Sequence, residues 1–342
     1  MSDIFKIVGI YMGIIIGAGF ASGQEILSFF IKYSEKWIFG MIFSGVIFSI
    51  VGGAAVKIIY DKKIKNSYDF FSEISGEKIG FILDIIVIIF NFVLFIAMYS
   101  ASGAFFSEGF QCSRIYGAII IMIVCIIVFC FGEEGVAVVN GILSPIILFL
   151  GMIICLYICI FQQKEVFLYD VTAISDYEWI LSALIYSSYN IITGISALTS
   201  SSKIIQRNKN TYKGGIIGGF GMCMLGILTG IILYIYRENI FETELPLLAI
   251  VDNSKNYIKI LYFIMIWSAI ISTALGNGYA FISRISDITY INKIVLGIVL
   301  SVLGIIFTYA KFTYVVESLY SIFGFSGIFM IFFVIIYILK KY

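Results

Sequence analysis

Histidine is absent from the 342 residues. That removes the commonest metal ligand and the usual proton shuttle. Metal catalysis and histidine-based proton relay therefore have no support, and no nucleophile–base constellation suggests an enzyme. Charge is scarce: 13% of residues are charged and the formal net charge is +1. Nothing here points to nucleic acid. The six cysteines form no CxxC pair, and five of them lie inside apolar runs, where they read as packing residues. Proline occurs twice. Pro145 sits in an apolar run after Gly141, as a hinge or a plain kink.

What is abundant is apolar surface. The hydrophobic share is 61%, well above the roughly half that a soluble domain carries. A water-soluble core of this size cannot hide that much, so lipid is the natural solvent. In lipid the backbone must satisfy itself, which leaves helices or closed barrels. Barrel strands alternate apolar and polar residues. The runs Ile85–Phe95 and Ile119–Phe131 are continuous instead, as in helices. The first run has no clean cleavage site after it and reads as a spanning helix rather than a signal peptide.

A span needs about 20 apolar residues. Ten runs qualify: about 5–31, 37–60, 80–107, 115–131, 140–161, 178–204, 214–236, 257–284, 291–309 and 313–338. Polar clusters separate them at Asp61–Lys65, Glu133-Glu134, Gln162–Glu165 and Lys203–Lys213. Placing both termini in the cytoplasm puts most of the 22 Lys and Arg on the inner side, as the positive-inside bias requires. Five spans in about 1–165 and five in about 170–342 give the arithmetic of an inverted repeat within a single transmembrane domain. The expected class is an all-α integral membrane protein of the cell membrane.

Two spans look interrupted at mid-membrane. The first carries Gly13, Gly17, Gly19 and Gly23 in one crossing. Small-xxx-small packing explains that spacing. Unwinding explains it too, and would free carbonyls for a cation and amides for an anion. The sixth carries Ser187, Ser188, Tyr189, Asn190 and Thr193 before Gly194. A run this polar should face a cavity or other helices, and Tyr189 and Asn190 are the better ligand contacts. In the eighth span, Ser272 and Thr273 can supply hard oxygen ligands. The carboxylates Glu25, Asp84, Glu108 and Glu317 lie in or near spans. Glu25 and Glu317 are candidates for an outer gate.

Ile16-Gly17-Ala18-Gly19-Phe20 resembles the Ile-Gly-Ser-Gly-Ile-Phe signature of the amino acid–polyamine–organocation superfamily. The longer string Gly17 to Glu25 is similar to the YkvI-type bacterial membrane proteins. The resemblance implies a LeuT-like fold of two inverted five-helix repeats with helices 1 and 6 broken. It implies a sodium site made by the carbonyls of Gly13, Ile16 and Ala269 and the hydroxyls of Ser272 and Thr273. It implies a substrate site at Gly17, Ala18, Gly19, Phe20, Tyr99, Ser187, Ser188, Tyr189 and Asn190, with amides near Gly17–Gly19 holding a substrate carboxylate. Helix 5 has no lysine between Asn140 and Phe161, which favours sodium over protons as coupling ion. The expected function is sodium-coupled symport of a small amino acid or related zwitterion. An amino-acid-sensing receptor subunit of germinant-receptor type is the alternative. No cofactor is expected, and substrate identity and oligomeric state are not legible.

Overall fold

The computed structural model describes residues 3–161, 177–237, 240, 242–252 and 254–341. The polar cluster Gln162–Glu165 lies outside them. The first apolar run is in three pieces: α1 (Asp3–Ile15), α2 (Ala18–Ala21) and α3 (Gln24–Phe29). There follow α4 (Trp37–Lys62), a short amphipathic α5 (Ser67–Ser75), α6 (Glu77–Phe110), α7 (Arg114–Cys130) and α8 (Gly132–Phe161). The second half holds α9 (Glu178–Ser200), α10 (Ser202–Ile205), α11 (Tyr212–Ile235), α12 (Pro246–Val251) and α13 (Asn256–Thr289). It ends with α14 (Lys293–Gly304), α15 (Phe312–Tyr314), a π-helical turn Val315–Tyr320, and α16 (Ser321–Lys341).

Seven helices among the described residues are long and apolar enough to cross a membrane. The shorter apolar helices Arg114–Cys130 and Lys293–Tyr309 accompany them. The first run does not stand with the seven because it is broken. Burial is arranged as lipid demands. Phe39, Ile42, Val46 and Ile50 recur at helical spacing on α4 and are exposed. So are Ile82, Ile85 and Ile89 on α6. In water such stripes would be a liability; in a bilayer they are the correct outer surface.

Inside, α4 packs along α11, α9 along α16, and α13 along both α6 and α8. Helix α1 sits between α9, α11 and α8. The α4–α11 contact is close because a side chain at Gly215 or Gly219 would strike the α4 backbone at Gly52 or Ser49. Small residues permit such approach where no hydrophobic force between helices is available. Two carboxylates in the spans are tied structurally. Buried Asp84 accepts from Arg284 Nε at 2.9 Å and Nη2 at 2.6 Å, joining α6 to α13. Glu108 accepts from the amides of Glu244 at 2.8 Å and Leu245 at 3.2 Å.

One expectation fails. Helix α9 runs unbroken from Glu178 to Ser200, through the whole Ser187–Gly194 stretch. Its serine, asparagine and threonine side chains bond back to their own helix. Ser187 Oγ donates to the Ala183 carbonyl at 2.8 Å, Ser188 Oγ to Leu184 at 2.6 Å, and Asn190 Nδ2 to Tyr186 at 3.1 Å. With those groups paired inside the helix, nothing calls for unwinding.

Candidate functional site

The site is built on the interruption of the first helix. In a continuous helix the Gly17 amide would close a turn onto the Gly13 carbonyl. Here it donates to Ile15 at 2.8 Å, and Gly17 is extended (φ −84°, ψ −172°). One turn of helix follows, and the chain breaks again at Gly23, which is left-handed (φ 82°). That angle suits glycine and strains any other residue. The second break is stapled locally: Ser22 Oγ donates to the Gly19 carbonyl at 3.0 Å and accepts from the Gln24 amide at 3.2 Å. It is also tied to the second half of the chain, because the Leu247 amide on α12 donates to the Ser22 carbonyl at 2.9 Å.

A small cavity opens against the first break. The break contributes Gly17, Ala18 and Gly19, and α3 sends back Glu25. Helix α9 contributes Tyr189, Asn190 and Thr193; α13 contributes Thr273 and Asn277. Ile14, Ile15, Leu94 and Tyr320 complete the wall. The Tyr189 and Tyr320 rings stand 5.2 Å apart. The Gly17 side of the break is narrow: a methyl group there would lie 3.0 Å from Thr273 Oγ1.

Several expected contacts sit elsewhere. Phe20 points to the opposite side of the break, into a separate apolar cavity with Ile147, Ile154, Leu225 and Met265. Ser187 and Ser188 are buried in the α9 packing, with Ser188 against Gly327. Tyr99 is buried between α6 and α14; its hydroxyl donates to the Ser301 carbonyl at 2.8 Å and its ring lies against Gly304. Leu94 is the α6 residue that faces the cavity, and Tyr99, five residues on, faces another way.

The gate expectation also changes for Glu25. It does not stand above the cavity; it lines it, 4% exposed, and a methyl group on Gly19 would collide with its carboxyl. The turn at Ser22 and Gly23 folds α3 so that the side chain returns onto the break. Glu317 lies one turn of α3 further out, where it accepts from Ser28 Oγ at 3.3 Å, and Ser28 accepts in turn from Gln24 Nε2 at 3.1 Å. Of the expected sodium ligands, Thr273 is beside Gly17, while Gly13 faces Ser144 on α8 and Ala269 and Ser272 are buried on α13.

Asn277, Thr193 and Tyr320 join the cavity without having been assigned to it. Asn277 is four residues after Thr273, so helical spacing from that residue would have found it. Thr193 stands in the polar run already noted. Tyr320 had no such signal, because it ends a π-helical turn that shifts the register.

No family model matches the chain. It is 22% identical over 319 residues to the uncharacterized membrane protein YkvI of Bacillus subtilis (strain 168), covering 93% of this chain and 91% of that one. It is 23% identical over 339 residues to the uncharacterized protein YyaD of the same organism, covering 97% and 96%. Among solved structures it resembles MhsT in complex with L-phenylalanine, with a TM-score of 0.63 and 14% identity over 95% of this chain and 87% of that one. It also resembles a substrate-bound, outward-open Na+-coupled sialic acid symporter, with a TM-score of 0.59 and 12% identity over 96% and 78%. The protein is thus an all-helical, multi-pass membrane protein with a LeuT-like fold. In sequence it is similar to the YkvI-type membrane proteins.

Proposed function

We propose that this chain is a secondary active transporter working by alternating access, without enzymatic activity. The observation that carries the reading is the cavity at the broken first helix, walled by polar groups from α9 and α13. A buried space flanked by two helix interruptions, in a protein with continuous apolar outer surfaces, suits a solute that crosses rather than one that reacts. The similarity to two transporter structures supports this through the fold. In this reading ten spans form two inverted five-helix repeats, about 1–165 and 170–342. Both termini are cytoplasmic.

The coupling ion we propose is sodium, bound by the carbonyls of Gly13, Ile16 and Ala269 and the hydroxyls of Ser272 and Thr273. The redirected Gly17 amide supports this, since it withdraws the usual helical partner from the Gly13 carbonyl. The solute is a small amino acid or related zwitterion, held at Gly17–Gly19, Tyr189 and Asn190. Glu317, paired with Ser28, is the proposed outer gate residue.

The test is uptake by proteoliposomes under an imposed sodium gradient, with a panel of labelled amino acids and amines. Uptake is expected to require sodium and to fall about tenfold or more in the Ser272→Ala, Thr273→Ala double variant, which removes two oxygen ligands. Uptake indifferent to sodium and to both hydroxyls would sink the coupling. Ligand binding with no flux would favour the receptor reading instead.

A further inference from the structure

The cavity walls carry hydroxyls and amides that can donate, and acceptor oxygens beside them. Asn190 turns its Nδ2 onto the Tyr186 carbonyl, and Asn277 turns its Nδ2 onto the Thr273 carbonyl at 2.9 Å. Thr193 spends its hydroxyl proton on the Asn190 carbonyl at 2.9 Å. Each residue keeps acceptor oxygen for the cavity, and each asparagine keeps a second N–H as well. Glu25 adds a carboxylate, and its Oε2 is buried with no hydrogen-bond partner. Among the described residues no lysine or arginine lines the cavity. A carboxylate buried without a counter-charge is costly. Tyr189 and Asn190 can bond to this carboxyl but bring no charge, and a cationic ligand would supply the counter-charge.

The carboxyl of Glu25 also occupies a particular place. It packs against Gly19, on the turn where an amino-acid solute would be expected to rest its own carboxylate. Two carboxylates sharing that turn would repel each other. The remaining walls are apolar or aromatic, from Ile14, Ile15 and Leu94 to the paired rings of Tyr189 and Tyr320. A bare metal ion has no use for such walls, whereas an organic ammonium is favoured by aromatic faces and by apolar contact. An unpaired acceptor oxygen further favours an ammonium that carries N–H groups over a quaternary one.

We propose that Glu25 is the specificity residue of this cavity: it takes the place of a solute carboxylate and pairs with the protonated amine of a small organic amine that has no carboxylate of its own. This rests on the reading of the cavity as the solute site and replaces the amino acid of that reading with an amine.

The experiment uses the full chain purified in detergent, with binding followed by thermal stability. The probes are three matched pairs differing only by a carboxylate: ethylamine and alanine, 3-methylbutylamine and leucine, 2-phenylethylamine and phenylalanine. Each is tested in sodium and in potassium buffer. At least one amine is expected to raise the midpoint by about 2 °C or more at millimolar concentration, with its amino-acid partner giving no shift. Glu25→Gln should weaken that amine about 10- to 100-fold, the usual loss when a charge-assisted bond is removed, while Glu25→Asp retains measurable binding. Amino acids that stabilise as well as their amines overturn the proposal. So does Glu25→Gln binding the amine as tightly as the native chain. A shift with sodium alone that Glu25→Gln abolishes, with no amine response, makes this an inorganic cation site and overturns it as well. The matched pairs decide the matter on the native chain even if Glu25→Gln folds poorly. Amine binding without sodium-driven flux sinks the transporter reading and leaves this one standing. Sodium-driven flux of an amino acid with no amine response does the reverse.

Discussion

Two stretches of this molecule are equally rich in small and polar residues, and only one of them breaks. Between Ile16 and Gly23 the first helix is interrupted twice; between Ser187 and Gly194 helix α9 is continuous. The difference lies in what each side chain can give back to the backbone. Serine, asparagine and threonine on α9 donate to carbonyls three or four residues earlier, so polarity is absorbed within the helix. Glycine has nothing to donate and tolerates the extended and left-handed angles seen at Gly17 and Gly23. Glycine alone does not break a helix, since α11 runs on through Gly214, Gly215, Gly218 and Gly219 where close packing against α1 and α4 uses them; it permits a break where the chain takes a left-handed angle, as at Gly23.

The sharpest way to break this comparison is Gly23→Ala. The left-handed angle costs a non-glycine residue about 1–2 kcal/mol, and the added methyl would lie 3.0 Å from Leu247 and 3.2 Å from Leu233. Denaturation in detergent should show a loss of at least that size; an unchanged midpoint would mean the break does not depend on Gly23. Next comes Gly19→Ala, whose methyl collides with the Glu25 carboxyl. It should leave the helices intact by circular dichroism and cut ligand affinity by about tenfold or more, the scale of one displaced charged contact. Hydrogen exchange should then separate the two stretches directly. Amides at Gly17–Gly19 and Gly23 are expected to exchange faster than those at Ser187–Gly194, because local opening follows missing helical bonds. Equal protection would erase the distinction. The smallest effect is reserved for Ser187→Ala with Ser188→Ala, where two local back-bonds are lost and the helix remains; stability should move by no more than about 1 kcal/mol.

Much of this was legible from residues alone. The apolar runs located most of the helices to within a few residues, since their lengths and continuity follow from the bilayer, but α8 starts at Gly132, eight residues before its run. The glycines marked the first break. Adjacent hydroxyls at Ser272 and Thr273 pointed to the face of α13 that holds Asn277. What escaped reading depends on direction rather than on composition. The return of Glu25 onto Gly19 follows from one left-handed residue, whose angle no periodicity reveals. Phe20 and Tyr99 are aromatic residues at plausible places, but their facing is set by α8 and α14, which lie far away in the chain. The π-helical turn at Val315–Tyr320 shifts the phase that would have flagged Tyr320.

The bond between Leu247 and Ser22 has a further meaning. It spans the two halves of the chain and ends on a carbonyl at a helix end. A neutral hydrogen bond of this kind contributes about 1 kcal/mol net, a factor of less than ten in any equilibrium it biases. The backbone turn at Ser22 and the start of α12 thus share one bond, and a change in either is felt by the other.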